Sequence, residues 1–182
     1  MKKRIIALGL LWCLSAVMLQ AARVDTVLVR SAAMNKDVKV VYVLPDKAIG
    51  KQACPVVYLL HGYGGNARSW VQLKPELPQM ADEKGIIFVC PDGKNSWYWD
   101  SPENPAYRYE TFVTSELVKY TDGNYATIPD RKARAISGLS MGGHGALWSA
   151  IRHKDVFGAA GSMSGGAVSY THLRAHETKA NL

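Results

Sequence analysis

Residues 133–147, ARAISGLSMGGHGAL, contain the most informative pattern in the chain. The pattern predicts a strand over Arg134–Leu139 and a helix over residues 143–152. Between them lies a G-x-S-x-G motif, residues 138–142, with small residues where a sharp turn would crowd its neighbours. A strand, turn and helix in this order form a nucleophile elbow, which exposes a serine oxygen close to a helix N-terminus. We therefore predict that Ser140 is a nucleophile.

A second glycine-rich loop, HGYGGN at residues 61–66, follows the apolar run PVVYLL at residues 55–60. A continuous apolar run is typical of a strand buried on both faces of a parallel sheet. Glycines let the following backbone turn tightly and expose N–H groups, and a serine that attacks an ester carbonyl needs such donors for the oxyanion. We expect the N–H groups of Tyr63 and Met141 to form this oxyanion hole. The alternative is a plain strand-to-helix turn.

Around these two loops, apolar runs alternate with helical patterns, which predicts an α/β fold with a mostly parallel sheet. Residues 24–30 and 38–44 alternate apolar and polar side chains across a polar turn, which predicts an antiparallel hairpin. The other predicted strands are residues 55–60, 86–90, 134–139 and 158–163, and the other predicted helices are residues 69–83 and 107–120. The loop at residues 92–105 follows a strand, at the edge where such sheets place their ligands.

The two ends of the chain differ from this body. Residues 1–21 combine Lys2-Lys3-Arg4, an apolar run and small residues, which predicts a secretory signal peptide. The run is short for a membrane span, although a retained anchor is the alternative. Residues 169–182 show no amphipathic period and resemble translated sequencing-adapter read-through, so we expect a non-native tail. Residues 22–168 then form one partial α/β domain.

Charge and cysteine patterns exclude several function classes. The net charge is +7 over 182 residues, but residues 22–168 carry only +3, with the bases scattered singly. We therefore expect no nucleic-acid partner. Cys54 and Cys90 fall at opposite ends of their predicted strands, so we expect no disulfide between them. No metal or cofactor is expected, since His172 and His176 have no third ligand nearby.

The motifs together resemble those of one family. The matching stretches are LLHGYGGNARSW (59–70), NSWYWDSP (95–102), YETFVTSELVKY (109–120), GLSMGGHGAL (138–147) and FGAAGSMSGG (157–166). They are similar to the putative-esterase branch of the α/β-hydrolases, the group of esterase D, feruloyl and acetyl-xylan esterases and mycolyltransferases. The resemblance implies an α/β-hydrolase fold with Ser140 as nucleophile and Tyr63 and Met141 as oxyanion donors. It also places Trp97 and Trp99 near the substrate mouth.

One part of the family pattern is missing. A serine nucleophile needs a histidine base and a carboxylate that fixes the tautomer of the base, and in this fold both follow the serine on later loops. Asp155, His144 and His153 are poor candidates, because the first lies in a predicted surface turn and both histidines belong to the helix after Ser140. His61 is expected to shape the oxyanion loop, and Ser162 and Ser164 are interpreted as structural.

We therefore expect the catalytic acid and histidine to be absent from this chain, which would hold only the N-terminal portion of the fold and would be inactive alone. The complete protein is expected to be an exported, periplasmic or secreted, serine esterase. Its substrates would be small-molecule or polysaccharide esters, with acetyl or feruloyl groups favoured by the resemblance, and no stable membrane anchor is expected. The alternatives are an acyltransferase of the mycolyltransferase type and a non-catalytic carbohydrate-binding homologue.

Overall fold

The computed structural model describes residues 22–166. The predicted signal peptide, residues 1–21, and the predicted tail, residues 169–182, lie outside them. The described chain folds around one six-stranded sheet in the order β1-β2-β4-β3-β5-β6. The strands are β1 (Arg23–Ser31), β2 (Lys36–Leu44), β3 (Val56–Leu60), β4 (Ile87–Pro91), β5 (Arg134–Leu139) and β6 (Ala159–Met163).

Strand directions follow the prediction. β1 and β2 form the antiparallel hairpin, which turns at Asn35 with a φ of 49°, and β2 also pairs antiparallel with β4. The pairs β3·β4, β3·β5 and β5·β6 are parallel. Every residue of β4 is buried, as its uninterrupted apolar run predicts. Because β3 and β5 are parallel neighbours, the loops after them leave from the same edge of the sheet.

The helices differ from the prediction over residues 69–83. They are α1 (Asp46–Ile49), α2 (Ser69–Leu73), α3 (Leu77–Lys84), α4 (Tyr109–Thr111), α5 (Leu117–Asn124) and α6 (Met141–Arg152), with a π turn at Phe112–Glu116 and a 3₁₀ turn at Arg131–Ala133. The single helix predicted over residues 69–83 is two helices. Lys74, which precedes Pro75, has φ −127° and ψ 80°, because a proline ring disfavours the helical conformation of the residue before it.

Apolar side chains cover both faces of the sheet. One face packs under the segment from α4 to α5 and under α6, through a cluster that includes Tyr42, Tyr58, Phe112, Leu117, Ile136 and Met141. The other face packs under α2 and α3, through a cluster that includes Val41, Val43, Trp70, Leu77, Ala81 and Phe88. Alternate residues of β2 point into the two clusters, as the two-residue period of a strand requires.

Two further expectations concern cysteines and membranes. Cys54 and Cys90 are both buried and unpaired, and burial raises the pKa of the Cys90 thiol. Within residues 22–166, every helix is too short or too polar to cross a bilayer.

Candidate active site

Ser140 lies at the turn between β5 and α6. Its backbone has φ 53° and ψ −113°, a conformation that costs a non-glycine residue about 1–3 kcal/mol and is found mainly at functional sites. The residue is exposed and directly precedes Met141, the first residue of α6. The serine side chain therefore stands in front of a helix N-terminus, where the unpaired N–H groups favour negative charge.

Two glycines allow this turn. A methyl group on Gly138 would lie 2.3 Å from the carbonyl carbon of Gly142, and one on Gly142 would lie 2.2 Å from the carbonyl oxygen of Leu60. Both contacts are with backbone atoms, which cannot move aside as a flexible side chain can. The first residues of α6 thus pack directly on the end of β3, which brings the loop after β3 beside Ser140.

That loop supplies the second part of the site. An added methyl group on Gly62 would lie 3.7 Å from Ser140 Cβ, so the backbone of Gly62 adjoins the elbow. Among the described residues, the N–H groups of Tyr63 and Met141 have no hydrogen-bond acceptor. The next N–H in the loop, that of Gly64, donates to Asn95 Oδ1 at 2.8 Å. Within residues 22–166, the N–H groups of the two predicted oxyanion donors are therefore unpaired.

The buried residue His61 fixes this loop from the interior of the protein. Its side chain is 1% exposed, and its Nε2 accepts a hydrogen bond from the N–H of Gly93 at 2.9 Å. The Tyr98 hydroxyl donates to the His61 carbonyl oxygen at 3.3 Å. His61 is therefore held in the interior, as the expectation that it shapes the loop requires.

Asp92 lies beside His61, with 3.7 Å between Asp92 Oδ1 and His61 Nε2. Burial of the Asp92 carboxyl disfavours its charge, but the contact with the His61 side chain and the hydrogen bonds from the ammonium and amide groups of Lys94 together outweigh burial and hold its pKa well below the usual range. Asp92 is therefore ionised at neutral pH and holds Lys94 over the end of β4.

The aromatic loop, residues 95–102, covers the other side of the elbow. Trp97 and Tyr98 have φ values of 57° and 59°, which bulky side chains adopt only when their surroundings impose it. Tyr98 is fully buried, with its ring against the backbones of Gly93 and Gly145. Trp97 and Trp99, on either side of it, are half-buried and pack on His144 at ring distances of 5.7 Å and 5.4 Å.

None of the described histidine side chains forms a hydrogen bond with the Ser140 hydroxyl. His61 Nδ1 donates to the Gly62 carbonyl oxygen, His144 Nδ1 to that of Gly166, and His153 Nε2 bonds Glu110 Oε1. Asp155 is an exposed turn residue, as the sequence predicted. Residues 22–166 thus assemble a serine and two free N–H groups without a base, and the acid and histidine stay a prediction for other residues.

Glu110 forms a cluster that the sequence did not reveal. This carboxylate, 8% exposed, accepts hydrogen bonds from Trp148 Nε1, Arg152 Nε and His153 Nε2, each at 2.8 Å. Burial disfavours its charge, but the three donors outweigh burial and lower the pKa of Glu110 below its ordinary value. The cluster fastens α6 to α4, next to the aromatic loop.

We expect the Glu110→Gln variant to lose about 1–3 kcal/mol of unfolding free energy at pH 7, because a neutral amide accepts weaker hydrogen bonds from these donors. Since the pKa of Glu110 is lowered in the folded protein, its contribution is full above the ordinary value of 4.5 and is lost as the pH falls through the folded pKa. Urea unfolding from pH 7 down to pH 3.5 measures this. Exposed Glu83 provides the control Glu83→Gln, and a loss in Glu110→Gln that stays constant with pH would contradict the prediction.

Within the described part of the chain, no three metal-ligating side chains converge on one point. The site can perform chemistry that uses an exposed hydroxyl beside free N–H donors, which is acyl transfer once a base is provided.

The sequence matches one family. Residues 31–174 match the family model described as "Putative esterase". The chain belongs to the putative-esterase family.

Relatives in this family share about a third of its residues. The chain is 28% identical over 135 residues to an acetyl esterase of Caldicellulosiruptor saccharolyticus, a match that covers 70% of this chain and 50% of the relative. It is 34% identical over 151 residues to a diacylglycerol acyltransferase/mycolyltransferase Ag85A of Mycobacterium gordonae, covering 78% of this chain and 42% of the relative. The chain therefore spans about half the length of the curated relatives it matches.

Solved structures agree on the fold. A ferulic acid esterase superposes with a TM-score of 0.67 at 31% identity, covering 77% of this chain and 59% of that one. The six strands and their helices thus form the N-terminal portion of an α/β-hydrolase fold.

Proposed function

We propose that this chain is the nucleophile-bearing portion of a serine esterase, in which Ser140 forms the acyl-enzyme. The observation that carries the proposal is the exposed Ser140, held at a positive φ in front of α6 and beside a loop whose Tyr63 N–H has no acceptor among the described residues. Membership of the putative-esterase family supports the reaction class. Because the chain covers half of the acetyl esterase it resembles, the activity is proposed for the complete protein.

The proposed reaction has two halves. Ser140 Oγ attacks the ester carbonyl carbon while a histidine takes the hydroxyl proton, and the N–H groups of Tyr63 and Met141 hydrogen-bond the resulting oxyanion. The tetrahedral intermediate then releases the alcohol, which leaves with the proton from the histidine. Water, activated by the same histidine, attacks the acyl group and frees Ser140 and the acid.

The histidine and its carboxylate are proposed to come from residues outside 22–166. All three described histidines hold other partners. The test is to read the gene past Val168, express the protein with and without the continuation, and treat both with a fluorophosphonate. We expect the label on the peptide that contains Ser140 in the extended protein, and neither label nor ester turnover in the 182-residue chain. A label on another peptide, or none in the extended protein, would refute the proposal.

A proline at position 63 tests the oxyanion donor directly, since proline removes the backbone N–H. We expect Tyr63→Pro to lower kcat about 100- to 1,000-fold, the usual effect of losing one such donor. Tyr63→Ala should lose far less, because it keeps the N–H and removes a side chain that is 66% exposed. Steady-state hydrolysis of a small acetate ester by the extended protein measures both. Equal losses of kcat in the two variants would show that the Tyr63 N–H is not an oxyanion donor.

For substrates, we propose acetyl or feruloyl esters of plant polysaccharide. The support is the similarity to an acetyl esterase and to a ferulic acid esterase, together with residues 1–21, which we propose act as an export signal. Release of acetate or ferulate from arabinoxylan would test the substrate class, and N-terminal sequencing of the exported protein would test cleavage near Ala21 or Ala22.

An acyltransferase is the second candidate, because the chain is 34% identical to the Mycobacterium gordonae acyltransferase/mycolyltransferase. Such an enzyme would use Ser140 in the same way but deliver the acyl group to a sugar hydroxyl. Turnover in an excess of sugar acceptor separates the two, since a hydrolase releases free acid and a transferase releases mainly acyl-sugar. A non-catalytic carbohydrate-binding homologue would instead bind sugar without any Ser140-dependent label.

A further inference from the structure

His144 occupies a special position relative to Ser140. It lies four residues further along α6, and its N–H donates to the Ser140 carbonyl oxygen at 3.0 Å. This hydrogen bond closes the first turn of α6, so the imidazole begins one helical turn from the serine. The sequence suggests no role for it beyond that of a weak candidate base.

Both ring nitrogens of His144 are used. Nε2 accepts a hydrogen bond from the indole N–H of Trp99 at 3.0 Å, and Nδ1 donates to the Gly166 carbonyl oxygen at 3.1 Å. Burial lowers the pKa of His144, and the hydrogen bond to Gly166 offsets part of that effect. The ring is therefore neutral at pH 7 with its proton on Nδ1, the one form that accepts from Trp99 and donates to Gly166.

Three indole rings surround this imidazole. Trp97 meets it edge-on at 5.7 Å and Trp99 at 5.4 Å, and Trp148 stacks on it at 6.1 Å. Trp148 is itself held, since its indole N–H donates to Glu110 and the Arg152 guanidinium lies 4.9 Å from its ring centre. The aromatic loop therefore rests on a platform that α6 and Glu110 hold in place.

The contacts with His144 stabilise a loop whose backbone is strained. Trp97 and Tyr98 both have positive φ values, and such backbone conformations persist only when neighbouring contacts impose them. Tyr98 is fixed by burial, whereas half-buried Trp97 and Trp99 depend on contacts made at the surface. The Trp99–His144 hydrogen bond joins the loop to the helix that carries Ser140, across 45 residues of sequence.

We propose that His144 is a positioning residue that holds Trp99 and Trp97 as an aromatic wall beside Ser140, and that this wall binds a planar aryl group of the ester. Aromatic rings prefer flat, apolar partners in stacked or edge-on contact. The inference rests on the proposed function for its substrate. Its structural part, the link from His144 to Trp99, does not depend on turnover.

Two substitutions separate the two hydrogen bonds of His144. In His144→Asn the side-chain amide nitrogen takes the place of Nδ1 and can still donate to Gly166, but no acceptor reaches Trp99. In His144→Gln the side-chain oxygen reaches the place of Nε2 and can accept from Trp99. The pair therefore differs in the bond that the proposal makes decisive.

The kinetic test uses three esters with the extended protein: methyl cinnamate, 4-nitrophenyl acetate and methyl acetate. We expect His144→Asn to raise KM about tenfold for the ester whose aryl group lies on the wall. That ester is methyl cinnamate if the wall binds the acyl group, and 4-nitrophenyl acetate if it binds the alcohol group. The kcat values and the KM for methyl acetate should change less than about twofold, and His144→Gln should restore most of the lost affinity. Equal effects of the two variants, or equal effects on all three esters, would overturn the proposal.

A spectroscopic test needs no turnover. In protein with ¹⁵N-labelled tryptophan, the Trp99 indole N–H signal, assigned through Trp99→Phe, should exchange slowly with solvent in the wild type and in His144→Gln and faster in His144→Asn. Unchanged exchange in His144→Asn would refute the link. If the exchange pattern is as expected but fluorophosphonate does not label Ser140, only the proposed esterase function is refuted.

Discussion

Replacing Ser140 with alanine should lower kcat for ester hydrolysis by about 10⁴- to 10⁶-fold in the complete enzyme, the range seen when a serine nucleophile is removed. The acyl-enzyme cannot form without Oγ, so only the oxyanion donors and substrate binding are left to act on direct attack by water. Because Ser140 is exposed, its loss opens no cavity, and the fold should be retained. Steady-state kinetics with a small acetate ester, alongside a thermal melt, measures both effects.

Ser164 offers a matched control for that experiment. It too is an exposed serine with a positive φ, 50°, and it lies in the GSMSGG stretch that imitates an elbow. It directly follows β6, however, whereas Ser140 leads directly into α6. We expect Ser164→Ala to keep near-wild-type kcat. If Ser164→Ala abolished hydrolysis and Ser140→Ala did not, the assignment of the nucleophile would be wrong.

The second large effect is expected at Gly142. An alanine there would place its methyl group 2.2 Å from the Leu60 carbonyl oxygen and 2.7 Å from that of His61. Both are backbone atoms of the oxyanion loop and its strand, so α6 and β3 would have to separate. Overpacking with side chains costs about 1–3 kcal/mol, occasionally more, and a backbone clash should exceed that range. We expect Gly142→Ala to be poorly soluble or to lose more than about 3 kcal/mol of stability, and to lose Ser140 labelling.

Gly123 controls for the substitution itself. It lies in α5, is exposed, and an added methyl group would have no other atom within 4 Å. Gly123→Ala should therefore leave activity unchanged and raise stability by up to about 1 kcal/mol, because alanine favours a helix more than glycine does. Urea unfolding of both variants measures the contrast. If both variants unfolded like the wild type, the close approach of α6 to β3 would be disproved.

Local pattern was sufficient for most of the fold. The uninterrupted apolar runs that became β3 and β4 predicted a buried parallel sheet, because such strands are covered by helices on both faces. The error lay in the helix predicted over residues 69–83. The apolar period of these residues continues across Pro75, but a proline restricts the residue before it, and Lys74 leaves the helical region there.

The hydrogen bonds that hold the site in place could not be predicted from local sequence patterns. Glu110 bonds groups 38 to 43 residues away, and His61 accepts from Gly93 across 32 residues. The residues in such pairs carry no shared sequence period, because their meeting depends on how whole helices and strands pack. A buried glutamate in particular looks like any surface glutamate until its three donors are placed around it.

Short-range sequence patterns predict which residues carry the chemistry. The G-x-S-x-G turn after β5 and the glycine-rich loop after β3 located Ser140, Tyr63 and Met141, because short-range steric rules let only small residues make such turns. The hydrogen bonds of His144 with Trp99 and Gly166 depend on the tertiary structure. Through them His144 supports the aromatic loop. A histidine can donate, accept or carry charge, and its choice among these is made by neighbours that folding brings from distant parts of the chain.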